Sequence, residues 1–256
     1  MALFHCSFFS RYLSHETQVE LFLPDDNGSG KPYRLLYLLH GRGDDCTSWV
    51  RNTMIEQYAN QYGIAVAMPF AETSFYVDGV YGKRYYSYLT RELPEKLLSW
   101  FPLSSRPEDT YIAGLSMGGY GALKIGLTLP ERFAAIGVFS AGIRPDQFPD
   151  FCPTPEDNEI LHEDVRRAFG DHGLEEKDIP EAMLAKCVEN GRRVPPIFHY
   201  EGRQDMLYEM NANFRDYAST LSVPYHYDEW DGEHGWVFWN EAIQKYLSKA
   251  FVKEEH

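Results

Sequence analysis

The stretch TYIAGLSMG at residues 110–118 decides the fold of this 256-residue chain. Its first five residues are typical of a buried strand, and the helical spacing from Gly118 to Leu129 is ended by Pro130. Between them, Gly-x-Ser-x-Gly fits a strand-to-helix turn so tight that the residues beside the serine must be small. The turn holds the hydroxyl beside a helix amino terminus, where developing negative charge is favoured. We therefore expect Ser116 to be a nucleophile; the alternative is a glycine-rich packing turn.

Strands and helices alternate on both sides of this stretch, and several strands are continuous apolar runs, as in parallel sheets covered on both faces. The predicted strands are Cys6–Ser10, Gln18–Leu23, Arg34–Leu39, Ile64–Met68, Thr110–Gly114, Phe133–Phe139, Ile197–Glu201 and Tyr225–Trp230. The predicted helices are Trp49–Asn60, Tyr86–Trp100 with a break or restart at Pro94, Gly118–Leu129, Met206–Leu221 and Val237–Val252. This order predicts an α/β fold in which residues 1–256 form one domain around a mostly parallel central sheet with helices on both faces.

The alternation lapses after the sixth strand, between Gly142 and Pro195, where proline and charged residues are frequent. We expect residues 143–195 to form a cap-like insertion with two short helices, near Glu159–Phe169 and Ile179–Asn190. Ligands of such folds bind at the carboxyl ends of the strands, so the functional interpretation is a lid or pocket wall. The alternative is a surface connection between two strands.

The net charge of the chain indicates which classes of binding partner to expect. Twenty-four Lys plus Arg against 38 Asp plus Glu give a net charge of −14, which argues against nucleic-acid binding. The longest nearly apolar stretch, Phe133–Ile143, is too short to cross a membrane. We expect a small-molecule partner, no nucleic acid and no membrane; the sequence leaves the oligomeric state open, including a homo-oligomer.

Cysteine spacing bears on the compartment. The four cysteines are irregularly spaced and form no Cys-x-x-Cys pair, as expected of free thiols in a reducing compartment. We therefore predict a cytoplasmic protein. The cysteines are Cys6, Cys46, Cys152 and Cys187.

A serine nucleophile needs a base and a third group that orients the base, and in this architecture the acid precedes the histidine. Asp205 follows the strand that ends at Glu201, and His234 lies on a glycine-bracketed loop after the last strand. We expect Asp205 and His234 to fill these roles. Asp228 and Asp231 are rival acids, but their closeness to His234 in sequence makes the required geometry harder to form.

Two backbone N–H groups are needed where an oxyanion develops. One is expected from Met117, the residue after the serine, and the other from the loop after the third strand. In that loop we favour the N–H of Arg42, with Gly41 as the second choice, and we expect His40 to be structural. The Arg42 guanidinium is either solvated or a site for a substrate carboxylate.

Aromatic residues are frequent at the predicted carboxyl edge of the sheet. Such side chains can surround short acyl chains or planar rings. The alternative is that several of them only pack the core, since 15% of the chain is aromatic. The candidates for the substrate pocket are Trp49, Tyr76, Tyr208, Trp236 and Trp239.

Three segments carry a resemblance to a known family: LHGRGDDCTSW at 39–49, AGLSMGGYGAL at 113–123 and WVFW at 236–239. They resemble the esterase D group of α/β-hydrolases, and more narrowly bacterial tributyrin esterases and small feruloyl or acetyl-xylan-type esterases. The resemblance extends over nearly the whole chain and is weakest in the insertion. It implies an α/β-hydrolase fold and a metal-independent serine carboxylesterase without cofactor, with Ser116, Asp205 and His234 as its triad.

Several functions remain open at this point. The first expectation is hydrolysis of short acyl esters, from acetyl to butyryl, followed by feruloyl or acetyl esters of plant polysaccharide fragments. The same group contains S-formylglutathione hydrolases, although the residues after Asp205 and His234 depart from their usual pattern. An acyltransferase and a catalytically inactive binding module are further alternatives. No metal or nucleotide motif is present, since His-Glu-x-x-His and Walker or Rossmann glycine patterns are absent.

Overall fold

The fold is built on one eight-stranded sheet. The computed structural model describes residues 1–25, 30, 32–148, 152 and 154–251. The strands run in the order β1-β2-β4-β3-β5-β6-β7-β8, and all pairs are parallel except β1–β2 and β2–β4. They are β1 (Ala2–Ser10), β2 (His15–Leu23), β3 (Arg34–Leu39), β4 (Ile64–Pro69), β5 (Thr110–Leu115), β6 (Ala135–Phe139), β7 (Ile197–Gly202) and β8 (Tyr225–Trp230).

Helices cover both faces of the sheet. They are α1 (Ser48–Asn52), α2 (Ile55–Tyr62), α3 (Tyr85–Ser87), α4 (Leu93–Trp100), α5 (Met117–Thr128), α6 (Pro155–Phe169), α7 (Pro180–Glu189), α8 (Tyr208–Ser219) and α9 (Trp236–Ala250). Side chains of successive strand residues point to opposite faces, so Tyr37 and Ile112 enter one core and Leu38 and Ala113 the other. This explains the continuous apolar runs, and it confirms the predicted mostly parallel α/β fold.

Two helix predictions need correction or refinement. The single helix expected at Trp49–Asn60 is wrong, because α1 and α2 are separated at Thr53, whose backbone is extended. The Thr53 hydroxyl donates to the Trp49 carbonyl at 2.6 Å and accepts the Ile55 N–H at 3.2 Å, so it satisfies groups that the break leaves free. The break expected at Pro94 takes the form of a π-helical turn, Tyr88–Glu92, which leads directly into α4. Pro94 lies in the first turn of α4, and the chain stays helical there.

The insertion contains the two expected helices, α6 and α7; residues 149–151 and 153 lie outside the described part. α7 packs against α5, the helix that follows Ser116. A buried ion pair also connects the two segments. Lys124 Nζ, on α5, lies 2.7 Å from Asp178 Oδ1, in the turn before α7. Within the described residues, no helix is both long enough and apolar enough to span a bilayer.

Candidate active site

The turn between β5 and α5 requires glycine on both sides of Ser116. A Cβ on Gly114 would lie 2.3 Å from the carbonyl oxygen of Gly118, and a Cβ on Gly118 would lie 2.5 Å from that of Leu39. Ser116 itself has φ 52° and ψ −117°, a backbone conformation that residues other than glycine rarely adopt. Close packing of strand against helix therefore fixes the serine at the carboxyl edge of the sheet.

Three predicted residues from distant segments form one hydrogen-bonded line. The Ser116 Oγ lies 3.0 Å from His234 Nε2. On the other side of the ring, His234 Nδ1 lies 2.9 and 2.8 Å from the two carboxylate oxygens of Asp205. Because a carboxylate can only accept, Nδ1 carries the proton and Nε2 is free to accept from the serine hydroxyl. This arrangement can activate a hydroxyl for attack on a carbonyl carbon.

The Asp205 carboxylate is buried yet charged. Burial would raise its pKa, but the hydrogen bond from His234, together with that from the Leu207 N–H at 2.8 Å, holds the pKa below its usual range. The rival acids lie elsewhere: Asp228 pairs with Lys245, and the exposed Asp231 pairs with Arg203. The geometry therefore brings Asp205, and neither rival, to the histidine.

The loop after β3 passes beside the serine, since a Cβ on Gly41 would lie 3.6 Å from the Cβ of Ser116. The N–H of Gly41 donates to Asp44 Oδ2 at 3.2 Å, so it is already occupied. Among the described residues, the N–H of Arg42 has no hydrogen-bond acceptor, and that of Met117 lies in the first turn of α5, where it has no partner within the helix. Arg42 and Met117, rather than Gly41, are available to an oxyanion.

Buried side chains hold this loop in place. The Ala71 N–H donates to His40 Nε2 at 3.0 Å, so Nδ1 donates to the Gly41 carbonyl at 2.7 Å. Burial lowers the pKa of His40 to about 4, partly offset by that hydrogen bond, and the imidazole stays neutral. The Tyr76 hydroxyl donates to the His40 carbonyl at 2.8 Å.

The aromatic pocket prediction requires correction at two positions. Tyr76 and Trp49 both have 0% exposed surface, so neither can contact a substrate that enters from solvent. Tyr76 fixes the loop, and Trp49 packs in the core with its indole N–H on the Leu39 carbonyl at 3.1 Å. Trp49 lies on α1 and Tyr76 on the loop after β4, and both side chains face the interior of the protein.

Of the other three aromatic candidates, Trp236 and Trp239 lie near His234, and Tyr208 begins α8. The Trp239 ring meets the His234 ring edge to face, with centroids 5.0 Å apart, and Trp236 packs on Trp239 at 5.2 Å. Tyr208 is half-buried and donates its hydroxyl to Glu229 at 3.0 Å. Trp239 therefore supports the histidine ring, and the half-buried Trp236 is the one of the pair with more surface free for a ligand.

Sequence reasoning missed an ion pair between the insertion and the loop after β3. Asp164 on α6 accepts from Arg42 Nε at 2.8 Å and from the Thr73 hydroxyl at 2.9 Å. The Arg42 guanidinium is thus committed to a carboxylate of its own chain. No local pattern indicates the contact, because the partners are 122 residues apart.

It also missed Glu201, a fully buried carboxyl next to Asp205. Its side chain reaches Asp205, and neither of its oxygens receives a hydrogen bond of ordinary geometry from a described donor. Burial raises the pKa of Glu201 well above its usual range, and the charge of Asp205 raises it further. A neutral Glu201 can donate its proton to Asp205. The sequence feature that could have identified Glu201 is the presence of a carboxyl group inside a strand that is predicted to be buried.

Replacing Glu201 by Gln should change how stability depends on pH. Above the ordinary glutamate pKa of about 4.3, native Glu201 keeps a proton that the unfolded chain releases, so native stability falls as pH rises toward the raised native pKa. Glutamine does not ionise. As pH rises, the free energy of unfolding of E201Q should therefore increase relative to that of the natural chain by up to about 1.4 kcal/mol per pH unit. Urea unfolding at several values between about pH 5 and 8 measures the difference. Parallel pH profiles would refute the neutral state of Glu201.

The described part of the chain contains no cluster of three His, Cys, Asp or Glu side chains that could hold a metal ion.

The chain matches known proteins over nearly its whole length. Residues 10–250 match a family model described as "Putative esterase". An acetyl esterase of Caldicellulosiruptor saccharolyticus is 30% identical over 98% of this chain and 97% of its own. The solved structure of FphF, a fluorophosphonate-binding serine hydrolase of Staphylococcus aureus, has a TM-score of 0.87 and 30% identity, covering 98% of this chain and 99% of that one. S-formylglutathione hydrolase (FrmB) of the same organism has a TM-score of 0.84 and 31% identity, covering 98% of both chains.

These matches agree with the esterase D resemblance carried by the three sequence segments. The family match covers far more than half of the chain, and the FphF and FrmB structures share its sheet and helices. The chain therefore belongs to this esterase family, and it is a serine esterase, a carboxylic ester hydrolase of the α/β-hydrolase fold.

Proposed function

We propose that Ser116 is the nucleophile, His234 the general base and acid, and Asp205 the group that orients the histidine in a two-step acyl transfer. The observation that carries the proposal is the continuous line from Ser116 Oγ through the His234 ring to Asp205, with contacts of 3.0 and 2.8 Å. The alternative of a packing turn explains none of these contacts.

In the first step His234 Nε2 takes the Ser116 proton as Oγ bonds to the ester carbonyl carbon. The carbonyl oxygen becomes an oxyanion that accepts from the N–H groups of Met117 and Arg42, each worth about 3 kcal/mol in the transition state. The C–O bond to the alcohol then breaks, and the alcohol leaves with the proton from His234. In the second step His234 takes a proton from a water molecule as that water attacks the carbonyl carbon of the acyl-enzyme. His234 then returns the proton to Ser116 Oγ as the bond to the acyl group breaks, which releases the carboxylic acid.

The proposed substrates are esters of short acyl groups, acetyl to butyryl, with feruloyl or acetyl esters of plant polysaccharide fragments second. The related acetyl esterase supports an acetyl preference. The half-buried Trp236, next to Trp239 and the histidine, offers an aromatic surface to a small acyl group or a sugar. Thioester hydrolysis is the second candidate function, since FrmB is similar along the whole chain.

We also propose that residues 143–195 form a wall of the substrate pocket within one domain, residues 1–256. Asp164 on α6 ties the insertion to Arg42, and thus to the loop expected to bind the oxyanion. The Lys124–Asp178 pair and the Tyr120 hydroxyl, which donates to the Asp178 carbonyl at 2.7 Å, anchor its other half on α5. These contacts favour a fixed wall over a lid that opens widely.

The cytoplasm is the compartment we propose for this enzyme. All four cysteines are free thiols, and Cys46 and Cys187 are buried. Detection of a disulfide in the protein isolated from its own cells would contradict this proposal.

A substrate panel tests the proposed specificity. We expect kcat/KM to be highest for p-nitrophenyl acetate to butyrate and to fall at least about tenfold at octanoate, because added methylenes no longer find a pocket. Methyl ferulate, S-formylglutathione and an acceptor alcohol such as glycerol complete the panel. A kcat/KM for S-formylglutathione well above that of every oxygen ester would replace the esterase proposal with the thioesterase, and ester turnover only with the acceptor would indicate an acyltransferase.

A further inference from the structure

A cavity of about 220 Å³ lies away from the catalytic residues, between one face of β3 and β5 and the helices α4 and α5. Ser116, Asp205 and His234 are not among the residues that line it. Aliphatic side chains form most of its wall, including Leu35, Leu39, Leu98, Ile112, Ile125 and Leu129.

The volume of the cavity suits a ring-sized ligand. An apolar cavity of about 150 Å³ in another protein stays dry and binds benzene. The present cavity is larger by about half, so a six-membered ring with one small substituent fits. The wall is mainly apolar, which favours an apolar group as the occupant, although Ser104, Ser105 and Thr110 also line it.

Two polar side chains at the cavity have hydrogen-bond donors that no described residue uses. Tyr37 is 8% exposed, and its hydroxyl makes no hydrogen bond to any described residue. Burial raises the pKa of Tyr37, so the hydroxyl keeps its proton at neutral pH and is a donor. The hydroxyl is therefore free to donate to a ligand oxygen in the cavity.

The second group is the Arg132 guanidinium. Its Nη1 donates to the carbonyl of Thr90, another lining residue, at 2.6 Å, which places the guanidinium at the cavity wall. Its charge also acts on the Tyr37 hydroxyl. No carboxylate of the described residues lies within ion-pair distance of Arg132; the adjacent Glu131 pairs with Arg192 at 2.7 Å instead. Arg132 is exposed to solvent, and its remaining N–H groups can bind an anion.

We propose that this cavity is a second, non-catalytic ligand site for a small aromatic monocarboxylate of about the size of benzoate. The ring occupies the aliphatic space between α4 and α5, and the carboxylate accepts from Arg132 and from the Tyr37 hydroxyl. The charge of Arg132 selects an acid over a neutral ring compound of the same shape. The proposal does not depend on the catalytic roles given above.

Titration of the isotope-labelled chain with benzoate, followed by NMR, tests the site and reports its location. We expect saturable shifts of resonances from Tyr37 and Ile125. Arg132→Gln should weaken benzoate binding about tenfold and Tyr37→Phe several-fold, as expected for loss of a charged and of a neutral hydrogen bond. Benzyl alcohol, which has the ring without the charge, should bind the natural chain and R132Q equally.

Arg192→Gln is the matched control, since it removes an exposed arginine outside the cavity. Its affinity for benzoate should equal that of the natural chain. Ile125→Phe fills the cavity and should abolish binding; because it can also disturb packing, the R132Q and Y37F measurements stand without it. Shifts confined to residues around Ser116, equal affinity in R132Q and R192Q, or no saturation up to about 10 mM benzoate would overturn the proposal.

Discussion

Ser116→Ala lowers kcat for p-nitrophenyl butyrate by a factor on the order of 10⁵ or more, which is the largest expected effect of a single substitution in this chain. The variant keeps the histidine, the aspartate and the two oxyanion donors but has no atom that can form the acyl-enzyme. Stopped assays at high enzyme concentration measure the remaining rate. A fluorophosphonate should label the natural chain and leave the variant unlabelled.

Folding of Ser116→Ala should be unchanged, because alanine and serine meet the positive φ of this turn with the same Cβ. Ser99→Ala, at an exposed position of α4, is the matched control and should keep full activity. An S116A protein with the natural melting temperature and undiminished ester hydrolysis would show that another residue is the nucleophile.

Asp205→Asn is the second large effect, and we expect kcat to fall about 10⁴-fold. The carboxylate accepts from His234 Nδ1 through two contacts of 2.8 and 2.9 Å. An amide can turn its NH2 toward that nitrogen, which moves the ring proton to Nε2 and leaves no base facing Ser116. Steady-state kinetics on a short-chain ester measure the loss.

Asp231→Asn tests whether the effect is specific. Asp231 was a rival acid in the sequence, and its exposed carboxylate pairs with Arg203 at 3.4 Å. We expect kcat for D231N to stay within about twofold, since an exposed pair contributes little. Equal losses in D205N and D231N would contradict the assignment of Asp205.

The sequence predicted the fold well where strands are fully buried. Arg34–Leu39, which is buried from Leu35 onward, has the same bounds in the structure as in the prediction. The bounds of Tyr225–Trp230 also match, although this strand is half-exposed at the edge of the sheet. Buried strands of a parallel sheet are apolar on both faces, so turn residues mark their ends. The helix prediction at Trp49–Asn60 was wrong, because both halves have helical spacing and the extended backbone of Thr53 leaves little trace in composition.

The three residues that form the hydrogen-bonded line were also accessible to sequence reasoning. Ser116 lies in a motif whose neighbours must be small, because a Cβ on Gly114 or Gly118 would lie 2.3–2.5 Å from a backbone oxygen. Asp205 and His234 each follow a strand of the sheet, and the carboxyl ends of parallel strands meet at one edge. Order along the chain and strand ends therefore sufficed to select them from nine histidines and many carboxylates.

By itself, the sequence determined the local structure: the strand–turn–helix at Ser116 and the alternation of strands and helices that builds the sheet. These depend on sterics and hydrophobic spacing among near neighbours in the chain. Only the tertiary structure decided that Tyr76 is buried, that Glu201 touches Asp205 and that Asp164 holds Arg42. Such contacts join residues whose separation in the chain carries no pattern, because they arise from how helices and loops pack over the finished sheet.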